Sequence, residues 1–231
     1  MGARTAVVIP ARGGSARIPR KNIKIFNGRP AIAWPIESCL AVPSIDVVAV
    51  STDDREIGEI ARACGVAITI DRPVELASST AGTAAVIKHA LDQLVLTDDT
   101  LVMCLYPTAP LTSAHIEEAL QLARGNPDRF VVTVGRHRSP LERALQCVED
   151  ELMALSSNEH LLTRTQDLPQ RYFDAGKLYV ASAAVWRERE TMMEVPFVPL
   201  YLPDWAAVDM DDPDDWEIAE ALHRVFVLES S

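Results

Sequence analysis

A basic, glycine-rich segment follows the first apolar run of the chain. It reads Pro10-Ala11-Arg12-Gly13-Gly14-Ser15-Ala16-Arg17-Ile18-Pro19-Arg20-Lys21-Asn22. Two adjacent glycines permit a tight turn whose backbone N–H groups converge on one point, and Arg12 and Lys21 add positive charge on either side. The segment therefore predicts a binding site for phosphate groups, with a spacing that fits neither a dinucleotide-binding fingerprint nor a P-loop. A solvated basic turn is the alternative, and it suits Arg17, Arg20 and Lys24 individually.

Two carboxylates near the end of the chain form a second candidate site. Asp209 and Asp211 are two residues apart, so on an extended chain they point to the same face. Such a pair suits Mg²⁺, a hard cation that takes a few carboxylates together with phosphate oxygens. Asp212 precedes Pro213 and matches the N-cap of a final helix instead. A solvated acidic turn is the alternative for all three carboxylates.

Composition and charge narrow the possible partners. The chain has 231 residues, 48% hydrophobic and 24% charged, which is enough for one domain with a sizeable core. Its formal net charge is −11, yet residues 1–36 contain seven basic residues and no carboxylate. The acidic balance argues against nucleic acid or an anionic membrane as a partner, while the cationic segment suits a small anion. We expect a cytoplasmic protein, since its cysteines are scattered and no membrane span or secretory signal is visible.

The hydrophobic pattern alternates between short apolar runs and helical periodicity over the first 135 residues. It predicts strands at residues 5–10, 46–51, 66–70, 100–106 and 130–134, and helices at residues 30–40, 54–64, 80–96 and 113–124. Ser79 or Thr80 is the expected N-cap of the third helix. This alternation predicts an α/β fold with a doubly wound, mostly parallel sheet, in which ligands bind beyond the carboxyl ends of the strands.

The alternation stops after Gly135. Residues 136–171 are polar and irregular, and are too long for an ordinary connection. Strands are expected at residues 177–183, 197–202 and 206–208, and a final helix from Pro213 to about residue 227. We predict a single domain over residues 1–231, in which residues 136–180 form an arm or lid that reaches a partner subunit.

The basic segment at residues 10–22 and several further stretches together resemble one known protein family. The further stretches are residues 50–54 (VSTDD), 72–77 (RPVELA), 106–111 (YPTAPL), 139–145 (SPLERAL), 164–168 (RTQDL), 174–179 (DAGKLY) and 208–216 (VDMDDPDDW). Together they resemble the acylneuraminate cytidylyltransferases, which make CMP-activated nonulosonic acids. Three stretches between residues 139 and 179 resemble the pseudaminic acid branch of that family. The resemblance covers nearly the whole chain and implies a fold like that of nucleotide-diphospho-sugar transferases, CTP as substrate, Mg²⁺ as cofactor, and a homodimer.

The resemblance also implies roles for individual residues. The nucleotide would be bound by Ala11, Arg12, Gly13, Gly14, Ser15, Lys21, Asn22, Arg72, Ala81 and Thr83. The sugar would be bound by Tyr106, Thr108, Arg164, Gln166, Asp167, Asp174 and Tyr179. Asp209 and Asp211 would hold the metal, and Arg12, Lys21 and Asp211 would be the catalytic residues. Tyr106 stands where the sialic acid enzymes usually have Gln, and Lys177 also stands where related enzymes usually have Gln.

A nonulosonic acid carries a carboxylate, which requires a cation in the site. The candidates in the irregular segment and the strand after it are Arg143, Arg164, Arg171 and Lys177.

The resulting hypothesis is transfer of CMP from CTP to the anomeric hydroxyl of a nonulosonic acid, pseudaminic acid before others, with release of pyrophosphate. The same reaction on N-acetylneuraminic, legionaminic or a ketodeoxy sugar acid is the nearest alternative. A non-catalytic nucleotide-binding protein and a glycosyltransferase with an Asp-x-Asp pair are alternatives of other classes. We call residues 10–22 the phosphate segment. Its position near the N-terminus and its family-like pattern, which glycosyltransferases lack, count against that alternative.

Overall fold

Strands and helices alternate along most of the chain. The computed structural model describes residues 4–15, 17–78, 80–148, 153–194 and 196–229. The strands are β1 (Thr5–Pro10), β2 (Ile25–Phe26), β3 (Arg29–Pro30), β4 (Val47–Thr52), β5 (Ile68–Asp71), β6 (Leu101–Leu105), β7 (Val131–Arg136), β8 (Leu145–Cys147), β9 (Met153–Leu155), β10 (Tyr172–Ser182) and β11 (Val198–Tyr201). The α-helices are α1 (Ala33–Leu40), α2 (Arg55–Ala63), α3 (Val74–Ala77), α4 (Thr83–Gln93), α5 (Ser113–Arg124), α6 (Ala183–Glu188) and α7 (Pro213–His223). In the described ranges, every helix is too short or too polar to cross a membrane.

A seven-stranded sheet in the order β11-β7-β10-β6-β1-β4-β5 forms the centre of the molecule. β1 pairs in parallel with both β4 and β6, and β10 is the antiparallel member between β6 and β7. The predicted mostly parallel sheet is therefore confirmed. The strand order reverses at β1, since the chain continues to β4 on one side and later returns to β6 on the other. The segment after β1 thus lies at the switch point, where such sheets bind ligands.

Helices cover both faces of the sheet, as the side-chain alternation of β1 illustrates. Val7 and Ile9 point into the layer that contains α1, α2 and α5, whereas Val8 points into the layer of α4 and α6. Each of these β1 side chains is fully buried. A strand that is apolar on both faces is what a sheet covered on both sides requires.

Two predicted elements differ from the structure. Helix α4 begins at Thr83 with Gly82 as its N-cap, so the predicted start at Thr80 is wrong, and Ser79 lies outside the described residues. The predicted strand at residues 206–208 is also wrong. The Ala206 N–H donates to the Pro203 carbonyl at 2.9 Å, which forms a turn instead.

The irregular segment has more local structure than its sequence indicates. Strands β8 and β9 form a small antiparallel hairpin, and 3-10 turns occupy Leu141–Arg143 and Thr165–Asp167. Large apolar side chains are exposed here, with Leu162 at 95% and Met153 at 67% accessibility. Its role as an arm remains a prediction.

Candidate active site

A cavity of about 320 Å³ lies at the switch point, beside the segment that follows β1. It brings together most of the residues expected to bind substrate, and Asp211, which is expected to hold the metal. The expected substrate-binding residues in its lining are Arg12, Gly14, Ser15, Lys21, Asn22, Arg72, Ala81, Thr83, Tyr106 and Thr108. Its other lining residues are Pro10, Arg17, Leu76, Ser78, Val86 and Pro107. Residues from distant parts of the sequence therefore meet in one pocket.

The phosphate segment is fixed by hydrogen bonds to β4 and to itself. The Ala11 N–H donates to the Ser51 carbonyl at 2.9 Å, and the Asn22 side-chain amide donates to the Arg12 carbonyl at 2.8 Å. The Gly13 N–H donates to Asp53 Oδ1 at 2.9 Å, so in this structure it points to a carboxylate and not into the cavity. Ala11 is fully buried. Ala11 and Gly13 therefore support the backbone of the segment on the side away from the cavity.

The cations of the segment face the acidic pair. Arg17 Nη2 lies 2.8 Å from Asp211 Oδ1, and Lys21 Nζ lies 3.8 Å from the same oxygen. Burial lowers the pKa of Lys21, and the carboxylates of Asp211 and Asp209 oppose that shift. Arg17 is exposed, as expected of a solvated residue, and it also forms an ion pair with the acidic segment.

The acidic pair fits a hard divalent cation. Asp211 opens on the cavity, and Asp209 Oδ1 lies 3.9 Å from Lys177 Nζ on β10. In the part of the chain that the structure describes, no three His, Cys, Asp or Glu side chains are grouped so as to hold a metal ion. A Mg²⁺ ion bound here would need oxygens from outside the protein, such as those of a nucleotide triphosphate, which is how this ion is usually held.

One small hydrophobic core holds both charged segments in place. We call it the anchor cluster, and its buried members are Ile18, Phe26, Ala31, Met210, Trp216 and Ala219. Ile18 follows Arg17 in the phosphate segment, and Met210 lies between the two aspartates. The ring of Phe26 packs edge-on against Trp216 of α7, with centroids 5.3 Å apart. Burial of one apolar residue from each segment thus sets the distance between opposite charges.

The end of the cavity expected to hold cytosine has a rigid polar wall. Arg72 is 7% exposed and donates to the Ser51 hydroxyl at 3.2 Å and to the Ser51 carbonyl at 2.6 Å. Thr83 Oγ1 and Tyr106 OH are hydrogen-bonded at 2.5 Å. Burial raises the pKa of Tyr106, which keeps its phenol protonated. The wall therefore offers fixed donors and acceptors to a ligand.

The residues expected to bind sugar fall into two groups. The Tyr179 hydroxyl donates to Asp174 Oδ2 at 2.6 Å, and the Tyr179 ring packs edge-on against Tyr106 of the cavity. Arg164, Gln166 and Asp167 instead lie on the exposed turn of the irregular segment, where Arg164 Nε donates to Asp167 Oδ2 at 2.7 Å. These three do not line the cavity of their own chain.

Sequence reasoning assigned no role to Asp53 and treated Arg17 only as a solvated residue, and it gave Lys177 only as one of four candidate cations for the sugar carboxylate. Arg17, like Lys21, faces an acidic segment that comes much later in the chain, so no local pattern indicates this contact. Asp53 follows directly after β4, at the edge of the sheet where ligands bind, and that position was the available signal. Lys177 is a lone cation within a predicted apolar strand, which is the pattern of a buried charge.

Comparisons with known proteins show which family the sequence matches. The profile of a family described as cytidylyltransferase matches residues 6–201. The chain is 34% identical to the pseudaminic acid cytidylyltransferase of Campylobacter jejuni strain 81-176, over 94% of this chain and 95% of that protein. It is 27% identical to the CMP-N,N'-diacetyllegionaminic acid synthase of Legionella pneumophila, over 95% and 96% of the two chains.

A solved structure shows the same fold. It is that of a CMP:2-keto-3-deoxy-manno-octonic acid synthetase in complex with CTP, with a TM-score of 0.68 at 18% identity over 95% of this chain and 98% of that one. The extent of the profile match and the identity to the Campylobacter protein place the sequence in the group that its motifs resemble. The chain belongs to the cytidylyltransferase family.

Proposed function

We propose that this protein transfers CMP from CTP to the anomeric hydroxyl of pseudaminic acid and releases pyrophosphate. The observation that carries the proposal is the meeting of the phosphate segment, the polar wall and Asp211 in one cavity. The choice of sugar is supported by the 34% identity to a protein named for pseudaminic acid, compared with 27% to the legionaminic acid synthase.

The proposed reaction exchanges one bond at phosphorus for another. The anomeric hydroxyl attacks the α-phosphorus in line and releases its proton to water, and the bond from the α-phosphorus to the oxygen of the leaving pyrophosphate breaks. Arg12 and Lys21 bind the triphosphate and stabilise the negative charge on the departing pyrophosphate. Arg72, Ala81 and Thr83 orient the base, so the α-phosphorus is held at a fixed place relative to the sugar.

The proposed cofactor is Mg²⁺, held by Asp209 and Asp211 together with phosphate oxygens. When bound, this ion neutralises negative charge that develops on the phosphate oxygens. Asp211 interacts with Lys21 and with Arg17, and we assign Arg17 to the triphosphate side as well. The two carboxylates therefore carry the negative charge needed to attract the ion to this edge of the cavity.

We further propose that the protein is a cytoplasmic homodimer, in which residues 136–180 form an arm that packs on the partner. Exposed apolar side chains on this segment support the proposal, including Leu145 at 61% and Leu162 at 95%. Burying such a group between two copies would remove apolar area from water. Packing of this kind would also bring the turn Thr165–Asp167 to the other subunit. Light scattering of wild type and of Leu162→Glu tests the dimer, since the variant should shift to monomer.

Pyrophosphate release with CTP and Mg²⁺ tests the activity. Pseudaminic, N-acetylneuraminic, legionaminic and ketodeoxy sugar acids are compared side by side at equal concentration. We expect the highest kcat/KM with pseudaminic acid. A higher value with another acid would keep the chemistry and change the sugar. CTP binding without release from any of them would favour a non-catalytic nucleotide-binding protein.

A further inference from the structure

Lys177 is a buried cation beneath the acidic pair. It lies on β10 with 2% of its surface exposed, whereas Lys side chains almost never become fully buried without a partner. Its neighbours on the strand include Leu178 and Val180, which are buried in the core. A charged side chain in such surroundings requires a specific reason.

An irregularity in β10 determines where Lys177 points. The pairing of β10 with β7 shifts between Asp174 and Tyr179, so several residues of β10 stand opposite Thr133 alone. Gly176 adopts a φ of +59° within this bulge, a conformation that favours glycine. Bulges of this kind redirect side chains and are frequent next to active sites.

The bulge is held by a buried hydroxyl. Thr133 Oγ1 accepts from the Lys177 and Leu178 N–H groups, both at 3.2 Å, and donates to the Leu178 carbonyl at 3.2 Å. The Lys177 carbonyl accepts from the Tyr106 N–H at 2.9 Å. The backbone of Lys177 is therefore fixed between β6 and β7, and its side chain starts from a rigid base.

The ammonium itself has unused hydrogen-bonding capacity. Its nearest carboxylate oxygen, Asp209 Oδ1, is 3.9 Å away, which is too long for a hydrogen bond. Within the described ranges, no other group accepts a hydrogen bond from Lys177 Nζ. Burial lowers the pKa of Lys177 to about 8, and the largest opposing influence is Asp209. With no acceptor of the described residues within hydrogen-bond distance, the donors of this ammonium are available to a ligand.

The ammonium lies near two residues of the active site, although Lys177 itself does not line the cavity. Lys21 and Asp211, which both line the cavity, are close enough to influence its pKa. Asp209 is 65% exposed at the side chain, so the space beside it is open to an incoming group.

The other cations considered for the sugar carboxylate are already engaged. Arg143 donates to the Leu161 and Thr163 carbonyls, at 3.2 and 2.6 Å. Arg164 is paired with Asp167, and Arg171 Nη2 lies 2.9 Å from Glu142 Oε1. Among the four candidates, Lys177 has its donors unused and lies beside the acidic pair.

We propose that the Lys177 ammonium binds the carboxylate of the acid sugar and selects sugar acids over neutral sugars. The inference rests on the proposed function. In a nonulosonic acid the carboxylate is attached to the anomeric carbon, which also carries the attacking hydroxyl. A sugar whose hydroxyl approaches the α-phosphorus beside Asp209 and Asp211 therefore brings its carboxylate to the same place. A buried ammonium binds such a group more strongly than an exposed one, because little water competes.

Two substitutions at Lys177 test the proposal. Lys177→Gln removes the charge and keeps a polar group, whereas Lys177→Met keeps the apolar stem of the side chain. Lys88→Gln is the matched control, since Lys88 of α4 forms a surface ion pair with Glu190. Calorimetry gives the Kd for CTP, which also reports whether each variant is folded. Pyrophosphate release gives KM and kcat for pseudaminic acid and for its C1 amide, in which the carboxylate charge is absent.

We expect both Lys177 variants to raise the KM for pseudaminic acid by about 10- to 100-fold, the usual effect of losing a charged hydrogen bond. The Kd for CTP should stay within about twofold of wild type. The preference for the acid over its amide should fall by a similar factor in the variants and remain unchanged in Lys88→Gln.

Two results would overturn the proposal. An unchanged sugar KM would remove the assigned role, and an equal loss of CTP affinity would assign the ammonium to the nucleotide. The proposed function fails separately, when wild-type protein releases no pyrophosphate with any sugar acid.

Discussion

Arg17 Nη2 and Asp211 Oδ1 lie 2.8 Å apart and join the phosphate segment to the acidic segment across the cavity. Both side chains are substantially exposed, at 68% and 37%. Exposed ion pairs of this kind contribute about 0–1 kcal/mol, so the contact is easily exchanged. A triphosphate can therefore bind the Arg17 guanidinium while a metal ion binds the Asp211 carboxylate.

Replacing Arg17 with Gln should weaken the binding of CTP and strengthen the binding of a divalent metal ion. We expect the Kd for CTP to rise by about 3- to 10-fold, because one cation for the triphosphate is lost. Without nucleotide, binding of Mn²⁺ to the protein should tighten by about 2- to 5-fold, because Asp211 loses a competing partner. Calorimetry and Mn²⁺ electron paramagnetic resonance measure the two values. Arg55→Gln, which alters an exposed pair within α2, is the control. Changes of the same sign for both ligands would contradict the exchange.

Asp211→Asn should abolish most turnover and leave the fold intact. The amide is a poorer ligand for Mg²⁺ than the carboxylate, and we expect kcat to fall by about 100-fold or more. Asp212→Asn is a matched control, because Asp212 caps α7 and Asn caps a helix equally well. Pyrophosphate release and circular dichroism measure the two effects. Substantial activity in Asp211→Asn would exclude the metal role.

Gly13→Ala should disturb the phosphate segment by a steric clash. A Cβ atom at Gly13 would lie 2.6 Å from Oδ2 of Asp54, the carboxylate that caps α2 and pairs with Arg20. We expect the free energy of unfolding to fall by about 1–3 kcal/mol, with weaker CTP binding. Gly14→Ala is the internal control, since a Cβ atom there meets no atom within 4 Å among the neighbours described. Urea unfolding measures the free energy of unfolding of both variants. Equal values for Gly13→Ala and Gly14→Ala would contradict the clash, because Asp54 would then move away without loss of stability.

His223 should make stability depend on pH below about 6.5. Burial, with a smaller contribution from Arg29, lowers the pKa of His223 to about 4 in the folded protein, while Glu220 opposes the shift. The unfolded chain therefore binds a proton that the folded chain excludes, and stability falls as the pH drops from about 6.5 towards 4. We expect a loss of about 2 kcal/mol between pH 7 and pH 5 from this residue. His223→Phe should remove that part, as urea unfolding at both pH values would show. Equal losses in the variant and wild type would contradict the assignment.

Local patterns predicted those elements whose ends are marked in the sequence. β1 begins and ends where its apolar run and Pro10 indicate, and α5 lies between Thr112, which caps it, and Gly125. The start of α4 was misplaced, because the sequence offers several polar N-cap candidates before Gly82 and only tertiary packing selects among them. Helix α6 was missed because its single clear signal is Ser182, whose hydroxyl accepts from the Val185 N–H.

Those parts of the site whose residues lie close to one another in the sequence could be predicted from it. The phosphate segment and the acidic pair each have a local pattern, so their chemistry was visible before the fold. The pairing of Arg17 with Asp211, and of Lys177 with Asp209, depends on the strand order and on the bulge in β10. Neither of these features has a local signature in the sequence. A lone cation in an apolar strand indicates that Lys177 is buried, but the carboxylate that it faces is determined only in the assembled sheet.

Through the anchor cluster, the folding of α7 stabilises both charged segments of the site. Trp216 and Ala219 of this helix share one core with Ile18 and Met210, so the helix, the phosphate segment and the acidic segment form one cooperative unit. If α7 frays, the groups for the triphosphate and those for the metal lose their support together. Amide hydrogen exchange at Lys21 and Asp211, whose N–H groups donate to the Ile18 carbonyl and to Asp215 Oδ2, should then follow that of α7, at a lower opening energy than the central strands. A chain with its final helix open could keep a native sheet and still lack both halves of its charged site.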